Sequence, residues 1–250
     1  MKIPRIVIAG ATSGVGKTSI TCSIIYSLQK HGFSVQPFKV GPDYIDPGYL
    51  SSVSKHETYN LDVWLMCKNQ LLNSFISNSK SNVSVIEGVM GYYDGFGCDS
   101  NYASTLHVAT ITKSPVLLVL DASKTSRSIA ATALGFVKFH SDSRIVGIIL
   151  NKIGSKKHEI LCRTALENTK IPIIGVIPKN SSLDMPSRHL GLISTLESKI
   201  LKTQIEKIAK IISKFLDINK IIKIIKNSTQ LAKKSKPLHK KTKTTIAVAL

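Results

Sequence analysis

A short glycine-rich stretch limits the possible folds more than any other part of this 250-residue chain. It spans residues 10–18, GATSGVGKT, between the apolar run at 5–9 and a stretch whose apolar spacing is helical. A loop between a strand and a helix offers phosphate groups a row of backbone N–H groups and the positive end of a helix. The closing lysine and threonine supply a contact to the β/γ-phosphates and a ligand for Mg²⁺. The sequence therefore predicts a site for ATP and Mg²⁺ formed by Thr12, Ser13, Gly14, Val15, Gly16, Lys17 and Thr18.

Short apolar runs alternate with helical patterns along most of the chain. Strands buried on both faces of a parallel sheet read as continuous Val, Ile and Leu runs, and helices provide the crossovers between them. The sequence therefore predicts an α/β fold with a doubly wound, mostly parallel sheet. Its strands are expected at 5–9, 34–40, 83–87, 116–120, 145–150 and 171–177. Its helices are expected at about 17–30, 66–78, 103–112, 125–139 and 156–168.

Composition narrows the class of protein. The formal charge of +19 comes almost entirely from lysine, with arginine at only five positions, and we interpret this excess as a solvated surface without nucleic-acid binding. No apolar run approaches the roughly 18 residues that a membrane helix needs, so no membrane contact is expected. The four cysteines are widely spaced and predict free thiols. Together these features predict a cytoplasmic protein.

Acidic residues follow two of the predicted strands. Asp43 and Asp46 come after the second strand, and Glu87 and Asp94 come at the end of the third and after it. Ligands bind at the carboxyl ends of parallel strands, so both clusters should face the glycine-rich loop. Gly-Pro-Asp and Asp-Gly could each be an ordinary turn. Glu87, however, would be costly to bury at the end of an apolar strand unless it binds a metal or a cation.

Several segments resemble the cobyrinate a,c-diamide synthase family. The resemblance rests on 39–47 (KVGPDYIDP), 60–62 (NLD), 87–95 (EGVMGYYDG) and 188–192 (RHLGL), and the phosphate loop is of the dethiobiotin synthetase-like type. This resemblance implies an ATP-dependent ligase. Such an enzyme phosphorylates the c- and then the a-acetate of a corrin-type tetrapyrrole, and ammonia from glutamine displaces the phosphate.

The resemblance also implies roles for individual residues. Lys17 would act in catalysis and serve the nucleotide, while Asp46 and Asp94 would position the acceptor carboxylate and its acyl phosphate. The Mg²⁺ ligands would be Thr18, Asp43 and Glu87. The substrate contacts would be Lys39, Tyr44, Asp46 and Asp94. The adenine edge would be read by Asn151 and Lys152, which could also be an ordinary polar end of a strand.

The resemblance, the helical spacing of apolar residues after 196 and the Lys-rich composition that follows together divide the chain into four parts. Residues 1–195 would form the ATP-binding synthetase domain, 196–226 a helical extension and 227–243 a Lys-rich linker. Residues 244–250 would be the first strand of a truncated glutaminase domain. None of the four cysteines lies in a Gly-Cys-Gly elbow, so we expect the nitrogen donor to be free ammonia, or glutamine hydrolysed by a glutaminase domain or chain. The family also implies a homodimer.

Three alternatives remain open at this stage. The same chemistry could act on nickel sirohydrochlorin. A partitioning-type switch ATPase is a weaker match, because the loop lacks the second lysine that those proteins carry near its start. A dethiobiotin-type carboxylase would not account for the segments at 39–47 and 188–192.

Overall fold

The computed structural model describes residues 2–97, 99–183 and 199–231. Within these ranges, seven strands form one sheet whose named strand pairs are all parallel. The strands are β1 (Arg5–Gly10), β2 (Val35–Val40), β3 (Tyr59–Leu61), β4 (Val83–Glu87), β5 (Val116–Asp121), β6 (Ile145–Ile153) and β7 (Ile173–Pro178). Their order across the sheet is β3-β2-β4-β1-β5-β6-β7, which confirms the predicted fold class.

Helices cover both faces of the sheet. They are α1 (Lys17–Lys30), α2 (Asp46–Ser54), α3 (Val63–Asn78), α4 (Thr105–Ile111), α5 (Ser128–Lys138), α6 (Lys156–Glu167), α7 (Lys199–Ser213) and α8 (Ile218–Lys226). One apolar core lies under α3 to α6 and includes Phe75 and Leu106. The other lies under α1, α2, α7 and α8 and includes Ile24 and Ile205. Burial of strand residues on both faces explains the continuous apolar runs of the sequence.

The elements that the sequence did not predict are short. The helix α2 has only nine residues, too few for a clear helical period, although Asp46-Pro47 is a favourable helix start. The strand β3 has three residues. The helix α3 begins three residues before the predicted position, because the carboxylate of Asp62 accepts hydrogen bonds from the N–H groups of Trp64 and Leu65.

The helical extension predicted at 196–226 contains α7 and α8. In its described part, Ile205, Ile208 and Ile212 are buried in the core beside α1. The segment after α8 is tied to the start of β1, where the buried Arg5 guanidinium donates hydrogen bonds to the carbonyls of Thr112 and Thr229. Burial lowers the pKa of Arg5 to about 10.

Two further predictions concern residues without a described structure. The RHLGL segment at 188–192 and the predicted strand at 244–250 lie outside the described residues, as does most of the predicted linker at 227–243. Among the helices that are described, none is long and apolar enough to cross a membrane.

Candidate functional site

A cavity of about 680 Å³ opens at the carboxyl edge of the sheet. The glycine-rich loop lines one wall, and Lys39, Asp43 and Asp46 line another. The end of β6 and the residues after β7 complete it. The sheet order explains this convergence: β1 lies at the centre of the sheet, with β4 and β2 on one side and β5 and β6 on the other. The loop after β1 therefore separates an acidic side of the cavity from a more open side at β5 and β6.

The loop itself requires glycine at its junction with α1. Gly16 is the residue before the helix and has a φ of 94°, in the left-handed region that favours glycine. A Cβ atom at this position would also collide with the side-chain amide of Asn151. Asn151 in turn donates a hydrogen bond of 2.8 Å to the carbonyl of Val15. The loop conformation thus depends on β6 as well as on its own glycines.

The lysine at the end of the loop is buried and has two backbone partners. Nζ of Lys17 donates to the carbonyl of Met90 at 2.6 Å and to that of Thr12 at 3.2 Å. Burial lowers the pKa of Lys17, an effect that Glu87, Asp46 and Asp94 oppose. Met90 has a φ of 49°, so its carbonyl points toward Lys17 from an uncommon backbone conformation.

The acidic side of the cavity is organised around one buried ammonium group. Nζ of Lys39 lies 2.7 Å from Oδ2 of Asp46 and 2.8 Å from Oε1 of Glu87. Lys39 and Glu87 occupy paired positions of β2 and β4, so their side chains extend toward the same face. Burial alone would lower the pKa of Lys39, but the two carboxylates raise it above its ordinary value. The three side chains form a compensated cluster of buried charges.

The cluster is connected to the glycine-rich loop through Thr18. Its hydroxyl donates a hydrogen bond of 2.9 Å to Oε1 of Glu87. A continuous series of contacts therefore runs from the start of α1 through Glu87 and Lys39 to Asp46 at the start of α2. Lys39 itself, which the sequence placed among the substrate contacts, lines the cavity with its ammonium group bound in this series.

The predicted Mg²⁺ ligands fit a divalent cation. Oε2 of Glu87 is buried and has no hydrogen-bond partner among the described residues, and Asp43 lines the cavity nearby. Thr18, Asp43 and Glu87 offer only oxygen atoms, which Mg²⁺ prefers. Within the described ranges, no three His, Cys, Asp or Glu side chains form a cage. A usual Mg²⁺ site takes only one or two carboxylates from the protein, together with water and substrate phosphates.

Two predicted substrate contacts lie at the margin of this cavity. Asp94 accepts a hydrogen bond of 2.8 Å from the N–H of Gly91, and it is close enough to Lys17 to raise the pKa of that lysine. Asp94 does not line the cavity wall. Tyr44 is almost fully exposed and also makes no part of the wall. The structure therefore brings Asp94 near the loop and leaves Tyr44 in solvent.

The predicted adenine contacts are engaged with the glycine-rich loop. Lys152 donates to the carbonyl of Gly14 at 3.2 Å and forms an ion pair of 2.7 Å with Asp121. Asp121 is the last residue of β5. Its carboxylate accepts hydrogen bonds from Lys152 and from the N–H of Ser123. Adenine recognition by Asn151 and Lys152 remains a prediction.

Some residues that line the cavity were not predicted from the sequence. Met90 lines the cavity, as do residues 178–181 after β7. The rule that ligands bind at the carboxyl ends of parallel strands could have found the residues after β7, because the same rule found Asp43 and Glu87. No pattern in the sequence indicates that the carbonyl of Met90 contacts Lys17.

Comparison with known proteins gives a consistent result. Residues 6–193 match the family model described as "CobQ/CobB/MinD/ParA nucleotide binding domain". Two curated relatives, both named cobyrinate a,c-diamide synthase, are 41% identical to the chain: one from Listeria innocua over 231 residues and one from Picrophilus torridus over 252. These alignments cover 91% and 100% of the chain but 51% and 57% of the relatives. The chain thus spans little more than half the length of these relatives.

Solved structures share the fold at low sequence identity. The MinD cell division protein of Aquifex aeolicus has a TM-score of 0.53 and 17% identity over 88% of this chain and 94% of its own. Chloroplast FtsY of Physcomitrella patens has a TM-score of 0.52 and 15% identity over 84% of this chain and 66% of its own. At these identities the likeness shows the fold alone.

Proposed function

The chain belongs to the CobQ/CobB/MinD/ParA nucleotide-binding domain family, and from this membership we propose that it catalyses the ATP-dependent half of an a,c-diamide synthesis on a cobyrinate-type tetrapyrrole. The names of the relatives supply the substrate class. The observation that carries the proposal is the series of contacts from Thr18 through Glu87 and Lys39 to Asp46. It joins the phosphate loop to a carboxylate that can position an organic acid.

The proposed chemistry has two steps. A carboxylate oxygen of the acetate side chain attacks the γ-phosphorus of ATP, and the bond between that phosphorus and the β,γ-bridging oxygen breaks, giving an acyl phosphate and ADP. Ammonia then attacks the acyl carbon, the bond to the phosphate oxygen breaks, and loss of a proton from nitrogen leaves the amide and inorganic phosphate. Activation is needed because a free carboxylate has a poor leaving group.

The residues of the glycine-rich loop would bind the phosphates with their N–H groups. Lys17 would exchange its bond with the Met90 carbonyl for the β/γ-phosphates and would stabilise the charge that develops during transfer. Mg²⁺ held by Thr18, Asp43 and Glu87 would neutralise charge on the same phosphates. Asn151 and Lys152 would lie beside the adenine.

The acidic side would orient the acceptor. Asp46 is fixed by Lys39, and Asp94 is fixed by its own loop, so both can hold polar groups of the acceptor or place ammonia. Lys39 would contribute positive charge beside the acyl phosphate. Tyr44 would contact the bound acid from the solvent side.

The nitrogen donor would be ammonia, either free or released from glutamine by a glutaminase domain or chain. Two described cysteines, Cys22 and Cys162, are buried, and burial raises the pKa of each thiol, which opposes formation of a thiolate. A homodimer is part of the proposal through the family resemblance.

The test is amide formation by the purified chain. With Mg-ATP, ammonium and cobyrinate, we expect phosphate release coupled to a product whose mass shows amidation. The Lys17→Ala variant should lose about 100-fold or more of the turnover, equivalent to about 3 kcal/mol of transition-state stabilisation. Lys207→Ala, which changes an exposed lysine of α7, is the matched control and should behave as the wild type.

Separate outcomes decide between substrates and function classes. Amidation of nickel sirohydrochlorin in place of cobyrinate would replace the substrate assignment and keep the chemistry. Nucleotide hydrolysis without dependence on any tetrapyrrole acid, together with ATP-driven dimerisation, would refute the ligase and favour a switch ATPase.

A further inference from the structure

Three aromatic side chains form an exposed group beyond the carboxyl ends of β3 and β4, outside the residues that line the cavity. Trp64, Phe96 and Tyr102 are 57%, 60% and 38% exposed, and we call this group the aromatic shelf. The ring centroids of Trp64 and Phe96 are 4.5 Å apart, and those of Trp64 and Tyr102 are 6.1 Å apart. Exposed aromatic rings in contact with one another form a continuous apolar surface, which is uncommon without a ligand or partner.

Backbone hydrogen bonds fix the segments that carry the three rings of the shelf. Asp62 caps α3 and fixes the position of Trp64 through a hydrogen bond of 2.7 Å to its N–H. The N–H of Phe96 donates to the carbonyl of Tyr102 at 2.7 Å, which closes the loop that carries both rings. A Cβ atom at Gly95 would collide with the same Tyr102 carbonyl, so the loop depends on glycine there. The rings are therefore presented by a preorganised surface.

The shelf lies at the carboxyl edge of the sheet, on the same side of β1 as the acidic cluster. Trp64 follows the end of β3, and Phe96 and Tyr102 lie in the loop after β4. These strands are on the acidic side of β1, whereas Asn151 and Lys152 lie on the other side. Phe96 is only two residues beyond Asp94, a chain distance of at most about 7 Å. The shelf thus continues the acceptor region away from the nucleotide.

We propose that the aromatic shelf docks the ring system of the tetrapyrrole acid while an acetate arm reaches Asp46 and Asp94. This inference rests on the proposed function. A macrocycle has broad apolar faces, and offset stacking on aromatic rings provides contact area at little cost in side-chain entropy. The phosphate loop and the acidic cluster bind the polar parts of the reactants, and the shelf adds an aromatic surface for the apolar part of the acid. Chemical discrimination among carboxylic acids would reside here.

The experiment uses a property of the sequence: Trp64 is the only tryptophan of the chain. Titration of the full chain with cobyrinate should quench the fluorescence of Trp64 in a saturable way, after correction for absorption with free tryptophan amide at matched concentrations. Addition of Mg-ATP alone should leave the fluorescence nearly unchanged. Absence of saturable quenching by cobyrinate would overturn the docking assignment.

Variants then test the neighbouring rings. Phe96→Ala and Tyr102→Ala should each weaken cobyrinate binding about fivefold while ATP affinity stays constant, because one stacking contact contributes about 1 kcal/mol. Phe215→Ala is the matched control, since Phe215 is as exposed as Tyr102, follows α7 and is not among the residues that line the cavity. Phe96→Leu covers the case in which an alanine variant fails to fold, and an unchanged cobyrinate affinity in that variant contradicts the proposal.

The possible outcomes distinguish the docking role of the aromatic shelf from the proposed ligase function. Normal amidation with wild-type affinity in the Phe96 and Tyr102 variants would refute the shelf and leave the proposed function intact. Saturable quenching without any amidation by the wild type would support the shelf and refute the ligase. A change of oligomeric state in these variants, with cobyrinate affinity unchanged, would assign the shelf to a protein contact and refute the docking role.

Discussion

Two lysine–aspartate pairs at the same edge of the sheet have the same length and very different surroundings. Lys39–Asp46 and Lys152–Asp121 are each 2.7 Å between nitrogen and oxygen. The side chains of the first pair are 2% and 4% exposed, and those of the second are 31% and 30% exposed. The first pair lies on the proposed acceptor side of the phosphate loop, and the second lies on the proposed adenine side.

The difference shows that the distance between two charges alone does not determine how much an ion pair contributes to the stability of the fold. A buried charge loses its hydration, so removal of one partner leaves the other without compensation. In a partly exposed pair each charge stays solvated whether or not its partner is present, so the pair contributes little to stability. Burial also predicts different tasks: the acceptor side should be rigid and intolerant of change, whereas the adenine side should accept substitution.

The largest expected effect follows from removing the ammonium of the buried cluster. Lys39→Met keeps most of the side-chain volume and leaves Asp46 and Glu87 close together without their shared cation. We expect the free energy of unfolding to fall by about 3–5 kcal/mol. Urea denaturation followed by circular dichroism measures this change.

A second substitution tests whether uncompensated negative charge causes this loss of stability. Removing the negative charge of Asp46 in the same chain, as Lys39→Met/Asp46→Asn, should recover part of the loss. If the double variant is as unstable as the sum of the two single variants, uncompensated charge is not the reason.

The next largest effect concerns the contact between the glycine-rich loop and β6. Gly16→Ala places a Cβ against the amide of Asn151 at a φ of 94°. Strain of this kind costs about 1–3 kcal/mol, and we expect ATP binding to be lost. Isothermal titration with Mg-ATP measures the binding.

Gly14→Ala provides the control for this variant. Gly14 also has a positive φ, of 74°, but a Cβ there meets no atom within 4 Å. It should therefore show backbone strain without the collision and bind ATP better than Gly16→Ala. Equal losses in the two variants would mean that the Asn151 contact is unimportant.

A smaller effect is expected at the half-exposed pair. Lys152→Met should lower the free energy of unfolding by about 0.2–1 kcal/mol. The difference from the wild type should shrink as salt is added, because screening acts on exposed charges, whereas the Lys39→Met difference should persist. Urea denaturation of both variants at low and high ionic strength makes the comparison. A salt-independent loss in Lys152→Met would show that this pair behaves as a buried one.

The smallest effect is the pH dependence of Asp121. Burial opposes ionisation, but hydrogen bonds from Lys152 and Ser123 hold the pKa of Asp121 below its ordinary value of 3.8. The folded state therefore binds this proton less tightly than the unfolded state, so the stabilisation is present above 3.8 and is lost as pH falls through the lower folded pKa. The stability difference between the wild type and Asp121→Asn should close over that acidic range. A difference that stays constant with pH would exclude the ionised carboxylate as its source.

The sequence predicted the sheet well and the contacts within the site only in part. Continuous apolar runs and the loop at residues 10–18 are local signals, and they located β1, α1 and β4 almost to the residue. The meeting of Asp43, Asp46 and Glu87 followed from a rule about parallel strands.

Other features depend on pairing across the chain. The position of Nζ of Lys39 between two carboxylates follows from the register of β2 against β4, which no local pattern contains. The bond between Asn151 and the carbonyl of Val15 joins residues 136 positions apart. The short elements α2 and β3 were missed because nine and three residues are too few to show a period.

The bond from Lys17 to the Met90 carbonyl would couple the two halves of the proposed site thermodynamically. A phosphate that took over the ammonium of Lys17 would remove this bond to the loop after β4, which carries Asp94 and leads to Phe96. An acceptor that favours one arrangement of this loop must then change the affinity for nucleotide by the same factor by which nucleotide changes the affinity for the acceptor. The order in which the two molecules are added to the protein would alter the path to the ternary complex but leave the total free energy of forming it unchanged.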